Sequence, residues 1–320
     1  MKIYNPKGTA NMSALHILVF PGLLFLALYA LALQFVDRKV YARLQNRKGP
    51  PWFQPAADFV KLLGKETIVP NEANHFVFTA LPVFALAAVT TAFLYVPIWG
   101  TSSALPFPGD VVVMMYLLAI IPLTFFLAGW NSSSMYAAIG SQRVLTQLFA
   151  YEVPLFMAIL GPALLADTWS LSGIAAFYAQ HPPMALLNLP GFGVALLATQ
   201  GKLERVPFDT PEAETEIVAG AFTEYGGRLY AIFRLAVDME TVVLLGIMSV
   251  VFVPLFAGNP FLGFLIFLVK TLVMLFVLSV IKAVTARLRI EQMVRFCWMV
   301  LVPLSLGQLL IDLVAKGLME

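Results

Sequence analysis

Runs of apolar residues long enough to cross a bilayer recur along this chain, and no other property narrows its fold so far. A membrane-spanning helix needs about 20 predominantly apolar residues. Reading such runs against turn and charge signals predicts eight spans, at about 14–36, 76–98, 111–129, 144–166, 184–202, 240–257, 261–283 and 296–315. Only 12% of the residues are charged, about half the usual share in soluble proteins, and most segments between the runs are too short to be domains. The expectation is one all-α, polytopic membrane domain over residues 1–320. Its first run is longer than a signal-peptide core and is followed by no small-residue cleavage pattern, so it is expected to be retained.

Charge placement orients the spans. Of the twenty Lys and Arg, sixteen fall in segments 37–75, 130–143, 202–239 and 282–295, three fall in the segments of the opposite side, and Lys270 lies inside a span. The positive-inside rule puts the first set in the cytoplasm and both termini outside. The only cysteine, Cys297, excludes an intrachain disulfide and a multi-cysteine iron–sulfur site on this chain, so redox centres are expected elsewhere. His16, His75 and His181 have no ligand spacing, and no metal site is expected. There is no fixed-period or inverted repeat to suggest a stand-alone transporter.

Two of the charged segments carry the chemistry. After the first span, Asp37, Arg38, Lys39 and Arg43 predict a helix running on into water, which Gly49-Pro50-Pro51 must break. From Trp52 to Lys65, residues Trp52, Phe53, Ala56, Phe59, Val60 and Leu63 recur at helical spacing, with Asp58, Lys61 and Lys65 off that face. A run this short does not span, so an amphipathic helix in the cytoplasmic interface is expected over 52–65, either as a surface anchor or as the roof of a cavity.

The second segment, 203–228, is acidic. Asp209 or Thr210 reads as a helix N-cap, Pro211 as the first helical residue, and the acids after it as the first turns of a helix continuing through Phe222 to Gly226. Glu212 and Glu216 would then share a face, where like charges destabilise a helix by a few tenths of a kcal/mol. Solvated acidity is one explanation. The other is carboxylates with restricted water, which titrate as a coupled set and can hold and hand on protons. Glu152 lies within an apolar run, where an ionised acid costs about 2.5–3.5 kcal/mol and normally faces the protein interior. It is either half of a structural pair or part of an ion path. Lys270 invites the same question, and the two are candidates for contact. Arg287, Arg289 and Arg295 serve as interfacial anchors, as headgroup ligands or as counter-charges to the acidic loop.

Several strings, running in order through nearly the whole chain, resemble a known family. They are Asp37-Arg38-Lys39, Gly49-Pro50-Pro51 through Gln54-Pro55-Ala56-Ala57-Asp58 to Lys65-Glu66, Gly129-Trp130-Asn131-Ser132-Ser133-Ser134, Tyr151-Glu152-Val153-Pro154, Arg205-Val206-Pro207-Phe208-Asp209-Thr210-Pro211-Glu212-Ala213-Glu214, Thr223-Glu224-Tyr225 and Arg287-Leu288-Arg289. The family is that of the membrane subunit called H in bacterial complex I, with its mitochondrial counterpart and the related membrane subunits of energy-converting NiFe hydrogenases. The resemblance implies eight helices in a prokaryotic cytoplasmic membrane, with the amphipathic helix and acidic loop forming a chamber against a hydrophilic arm. Partners would be the arm's iron–sulfur small subunit, its NiFe-hydrogenase-like large subunit and antiporter-like membrane subunits, with no nucleic acid.

By the same resemblance, Glu152, Asp209, Glu212, Glu214, Glu216, Glu224 and Lys270 would belong to a proton or sodium pathway. Arg38, Arg43, Gln54, Asp58, Lys65, Arg205, Phe208, Arg228, Arg287 and Arg289 would line the chamber or dock the arm. No cofactor would be bound by this chain alone, the nearest being an iron–sulfur cluster in a partner. Quinone-type members usually read Arg-x-Gly-Pro-Asn-Arg-x-Gly-Pro before the amphipathic helix. Here Arg47-Lys48-Gly49-Pro50-Pro51 runs directly into Trp52, which is similar to the hydrogenase side and counts against a complete quinone pocket. Residues 129–134 and 151–152 are closer to the respiratory side. Three functions stay open: a coupling subunit of a hydrogenase-type ion-pumping complex, which is favoured; a quinone-binding subunit of an NADH- or ferredoxin-dependent dehydrogenase; and a passive anchor.

Overall fold

The computed structural model describes residues 14–319 except Ala257, and not the side chains of Ala14, Glu214, Thr215 and Met319. Among the described residues eight helical segments are long and apolar enough to cross a membrane, and there are no strands. A single turn, α1 (Ala14–Leu18), precedes α2 (Leu23–Leu44). The spans continue as α4 (His75–Phe93), α5 (Asp110–Asn131) and α6 (Met135–Leu165). The fifth is a 3-10 turn, Pro182–Asn188, running into α8 (Leu189–Lys202). Then come α10 (Gly227–Phe252) and α11 (Pro260–Val284). The last span is α12 (Ile290–Phe296) joined by the π-turn Cys297–Leu301 to α13 (Val302–Met319). Outside the spans lie α3 (Gln54–Leu63), the single turn α9 (Glu214–Ile217), and α7 (Leu171–Gln180), which forms where the sequence predicts only a connection.

The sixth span differs most from expectation, since α10 begins at Gly227 rather than near residue 240. Arg234, Asp238 and Glu240 therefore lie inside a membrane helix, not at the edge of a loop. This helix is the centre of the bundle: 94% of its apolar window is buried, against 39% for α11 and 28% for the last span. It packs on α2, α3, α4, α7, α8 and α11. The rim helices leave large apolar side chains such as Phe84, Phe149 and Phe276 exposed, as lipid-facing surfaces require.

Contacts gather the four cation-rich segments at one end of the bundle. Asn131 and Asn74 exchange hydrogen bonds of 3.1 and 3.2 Å, Arg143 reaches Glu216, Arg205 lies 3.4 Å from Asp37, and Arg287 lies 3.3 Å from Asp209. At the other end, Asp110 accepts from the Leu171 N–H at 2.6 Å and from the Ser170 hydroxyl at 3.1 Å, anchoring α7.

The acidic segment is not the continuous helix that its cap signals predict. Only one turn forms, α9 (Glu214–Ile217), followed by Val218 at φ 62° and a 3-10 turn over Gly220–Phe222. Glu212 thus precedes the helix and shares no helical face with Glu216. Tertiary packing overrides the local preference. The 3-10 turn is pressed into a notch between α5 and α6, where a Cβ on Gly140 would stand 2.5 Å from the Ala221 nitrogen and 2.6 Å from Gly220. Gly220 itself has φ +54° and abuts the Pro211 carbonyl, so no larger residue fits there. Phe222 then packs on Phe125 and Phe233, and Tyr225 stacks on Phe78 at 3.9 Å.

Helix α3 starts at Gln54, two residues later than expected, with Trp52 and Phe53 just before it exposed by 77% and 50%. It turns Pro55 inward and leaves Val60 exposed by 65%, so its apolar residues are only partly covered by this chain.

Candidate functional site

A cavity of about 210 Å³ opens at the cation-rich end, beneath the acidic loop and beside α10. Six carboxylates line it, Asp37, Glu204, Asp209, Glu212, Asp238 and Glu240, and so do four cations, Lys202, Arg205, Arg234 and Lys282. Helix geometry explains the α10 contribution, since Arg234 and Asp238 are one turn apart and the next acid, Glu240, is 1% exposed. Asp37 corrects the expectation of a helix end in water. It is buried, accepting from the Ser279 hydroxyl at 2.7 Å and facing Arg205 at 3.4 Å. Arg205 also donates to Thr241 at 3.4 Å, so this residue shortly after α8 braces α2 against α10.

The loop's entry into the cavity is set by Gln147 on α6. Its amide nitrogen donates to the carbonyls of Gly201 and Phe208 at 2.7 and 2.8 Å, and its oxygen accepts from Thr210 at 2.6 Å. These bonds satisfy backbone groups that a loop buried in a membrane protein would otherwise leave unpaired. They also bury Phe208, which is 2% exposed. Its ring stacks with its centroid 6.3 Å from that of Phe296, so of its two expected places, chamber lining or docking surface, the docking surface finds no exposed side chain here.

Burial, followed by the charges of Glu212 and Glu240, pushes the Glu204 carboxyl well above the usual range, while Arg234 opposes the shift. The loop-side surface behaves oppositely. A hydrogen bond from Arg38, at 2.7 Å, keeps Asp58 below its ordinary value, and the hydrogen bond and charge of Arg143 do the same for Glu216.

Glu152 lies one step from the cavity. Its Oε2 is 3.1 Å from the Nζ of Lys202, whose side chain is fully buried and stands 5.3 Å from the Tyr151 ring centroid. On its other side Glu152 borders a groove of about 350 Å³ between α5 and α6, otherwise apolar and walled by Met115, Tyr116 and Phe156.

Of the predicted pathway residues, the fold brings Asp209 and Glu212 into the cavity and Glu152 beside it. Glu216 lies instead on an outer cleft of about 330 Å³ with Arg143, Arg287 and Arg289, held there by Arg143 at 2.5 Å. Glu224 is exposed, and the side chain of Glu214 lies outside the described residues. Lys270 does not meet Glu152. It donates to the carbonyls of Ser249 and Val253 at 2.8 and 3.1 Å near the other end of α10, and sits 4.4 Å from the Phe256 ring centroid.

Of the predicted chamber residues, Arg38, Gln54 and Asp58 form one bonded group. Arg43 and Lys65 are exposed, and exposed Arg228 donates to the Leu63 carbonyl at 3.3 Å. Sequence reasoning passes over Lys202, Arg234, Asp238 and Glu240 as site residues. The opposite charges of Arg234 and Asp238, four apart and followed by Glu240 and an uninterrupted apolar run, are the signal that α10 begins early.

Comparison with known proteins gives a consistent set of relatives. The family profile described as NADH dehydrogenase matches residues 16–313. The H-type membrane subunit of an NADH-quinone oxidoreductase of Dehalococcoides mccartyi is 34% identical over 313 residues, covering 92% of this chain and 86% of the relative. An H-type subunit of an NADH-quinone oxidoreductase of Rhizobium etli is 33% identical, covering 98% of this chain and 97% of its own. A chain in the structure of a membrane-bound sulfane sulfur reductase, an archaeal respiratory membrane complex, superposes with a TM-score of 0.82 at 26% identity. That match covers 90% of this chain and 96% of the other.

Proposed function

The chain belongs to the NADH dehydrogenase family that includes the H-type membrane subunits of NADH-quinone oxidoreductases, and from that premise we propose that it is the membrane coupling subunit of an ion-translocating redox complex. In this role it docks a hydrophilic iron–sulfur arm on the face formed by α3, the acidic loop and Arg287–Arg289, and passes protons or sodium ions along its buried carboxylates. The same face would lie in the cytoplasm, as its excess of Lys and Arg favours, with antiporter-like subunits as neighbours in the membrane.

One observation carries the reading: six carboxylates and four cations share a single cavity at the cation-rich end of the bundle. Charges in low dielectric interact strongly and titrate as a set, so a charge arriving nearby redistributes protons among them. A passive anchor has no use for such a cavity. Moving one charge against 100 mV requires about 2.3 kcal/mol, within reach of one strong charge–charge interaction at low dielectric.

We favour the branch without bound quinone. The cavity's lining is mostly ionic and its volume, about 210 Å³, falls below the roughly 300–1,000 Å³ of apolar sites for organic ligands, so these residues fit water and ions rather than a quinone ring. The names of the bacterial relatives support the second reading, a quinone-reducing subunit whose pocket is completed by the arm. Quantifying quinone in the purified complex by mass spectrometry separates the two.

The test of coupling is Glu152→Gln in the reconstituted complex. Ions moved per electron should fall toward zero while electron transfer continues. An unchanged ratio removes Glu152 from the path and this reading with it.

A further inference from the structure

Lys202 pairs with one acid and shares the inner cavity with a second, and the two acids differ in access. Glu152, 3.1 Å from its Nζ, has a side chain 23% exposed and borders the groove on the outer side of α5 and α6. Glu240 is 1% exposed, lines the inner cavity with Lys202, and has an oxygen with no hydrogen-bond partner. The cation whose charge bears on Glu240 is Lys202, and the charge of Glu152 reaches it as well. Tyr151 and Glu152 from α6 stand against the Lys202 side chain, and Glu240 from α10 and Glu204 from the loop line the same cavity as Lys202.

One ammonium cannot neutralise two buried carboxylates, and a buried carboxylate without a cation takes up a proton rather than remain charged. The lysine stem is flexible and its head is a compact charge that can exchange partners. We propose that Lys202 is a two-position relay, paired with Glu152 while Glu240 holds a proton, and swinging to Glu240 when that proton has passed to Glu152. In the first state Glu240 is a neutral acid and Glu152 a carboxylate; in the second the forms are reversed. One proton leaves a Glu240 oxygen and one arrives on a Glu152 oxygen, with no electron transferred. The three groups sum to zero charge in both states, so neither state buries an uncompensated ion. The swing joins the inner cavity to the lateral groove, and Lys202 acts as a positioning residue for the transfer.

This inference rests on the acid-path reading, and the experiment keeps the two apart. In the complex reconstituted into vesicles, Lys202→Met should abolish most of the proton movement per electron, with partial recovery in Lys202→Arg. Redox-triggered infrared difference spectra should show one protonated-carboxyl band losing intensity as another gains it. Glu240→Gln removes one band, Glu152→Gln the other, and Lys202→Met abolishes both changes. Normal coupling with both band changes in Lys202→Met overturns the relay. If Lys202→Met does not assemble, the two isosteric Gln variants decide: each should also freeze the remaining band, and a band that still responds in either overturns it. Loss of coupling in Glu152→Gln beside intact coupling in Lys202→Met sinks the relay alone, whereas intact coupling in Glu152→Gln sinks the reading beneath it.

Discussion

Lys202 and Lys270 are both buried lysines in membrane helices, one lining a cavity that reaches the middle of α10 and the other at the end of that helix, yet they are satisfied by different chemistry. Lys202 pairs with Glu152 of α6 at 3.1 Å and lines a cavity that Glu240 of α10 also lines. Lys270 donates to two carbonyls near the end of α10, at 2.8 and 3.1 Å, where the helix runs out of its own donors. The first arrangement sets the lysine among ionisable side chains. The second holds fixed backbone dipoles and responds to little. The difference teaches that an ionisable residue at membrane depth marks a function when its partners also titrate, and marks a helix end when they do not.

The largest effect that would break this comparison comes from the loop-side end, where function depends on a loop seated by distant contacts. Gly140→Ala drives a methyl into Ala221 and Gly220; overpacking of this kind costs about 1–3 kcal/mol. Hydrogen exchange should accelerate across 203–228 and stay unchanged across 171–188, and uniform loosening would mean that the two ends are not independent. Next, Lys270→Met should lower thermal stability by up to about 2 kcal/mol, the scale of a cation at a helix C-terminus, without altering ions moved per electron. A fall in that ratio would erase the contrast between the lysines.

A smaller effect sharpens the electrostatics of the cavity. Glu204 keeps its proton in the folded protein over a range where the unfolded chain has lost it. Stability therefore declines as pH rises above the unfolded value of about 4.3 and through the raised folded value. Glu204→Gln should flatten that decline in thermal melts between pH 4 and 8, and an unaltered slope would show that Glu204 is hydrated. Smallest is Arg38→Gln. The pair with Asp58 is partly exposed, 33% and 41%, so its loss should cost less than about 1 kcal/mol. Because Asp58 is held below its ordinary value, that contribution is present above about pH 3.9 and disappears as pH falls through the lowered value. Persistence of the Arg38 contribution under acid would assign it to packing.

The eight spans are legible in the sequence because length and apolarity are local properties. The charges at their ends are less so. Lys202 closes a span and reads as a boundary marker, while Asp238 and Glu240 read as loop because acids normally end an apolar run. Glu152 announces itself, but its partner is 50 residues away, and nothing in either local stretch specifies the pairing. The acidic loop shows the limit most clearly. Its cap, proline and first-turn acids are proper helix-start signals, and they lose to a notch at Gly129 and Gly140 that no local window contains.

The burial of α10 on every side has a mechanical consequence. Its 26 residues, at about 1.5 Å each, form a strut about 39 Å long that cannot bow without opening voids in a close-packed interior. Any displacement started by Glu240 must then be axial or rotary, like a camshaft in its bearings. It would reach both ends of the helix together, giving the two ends of the bundle a rigid linkage beside the path of ions.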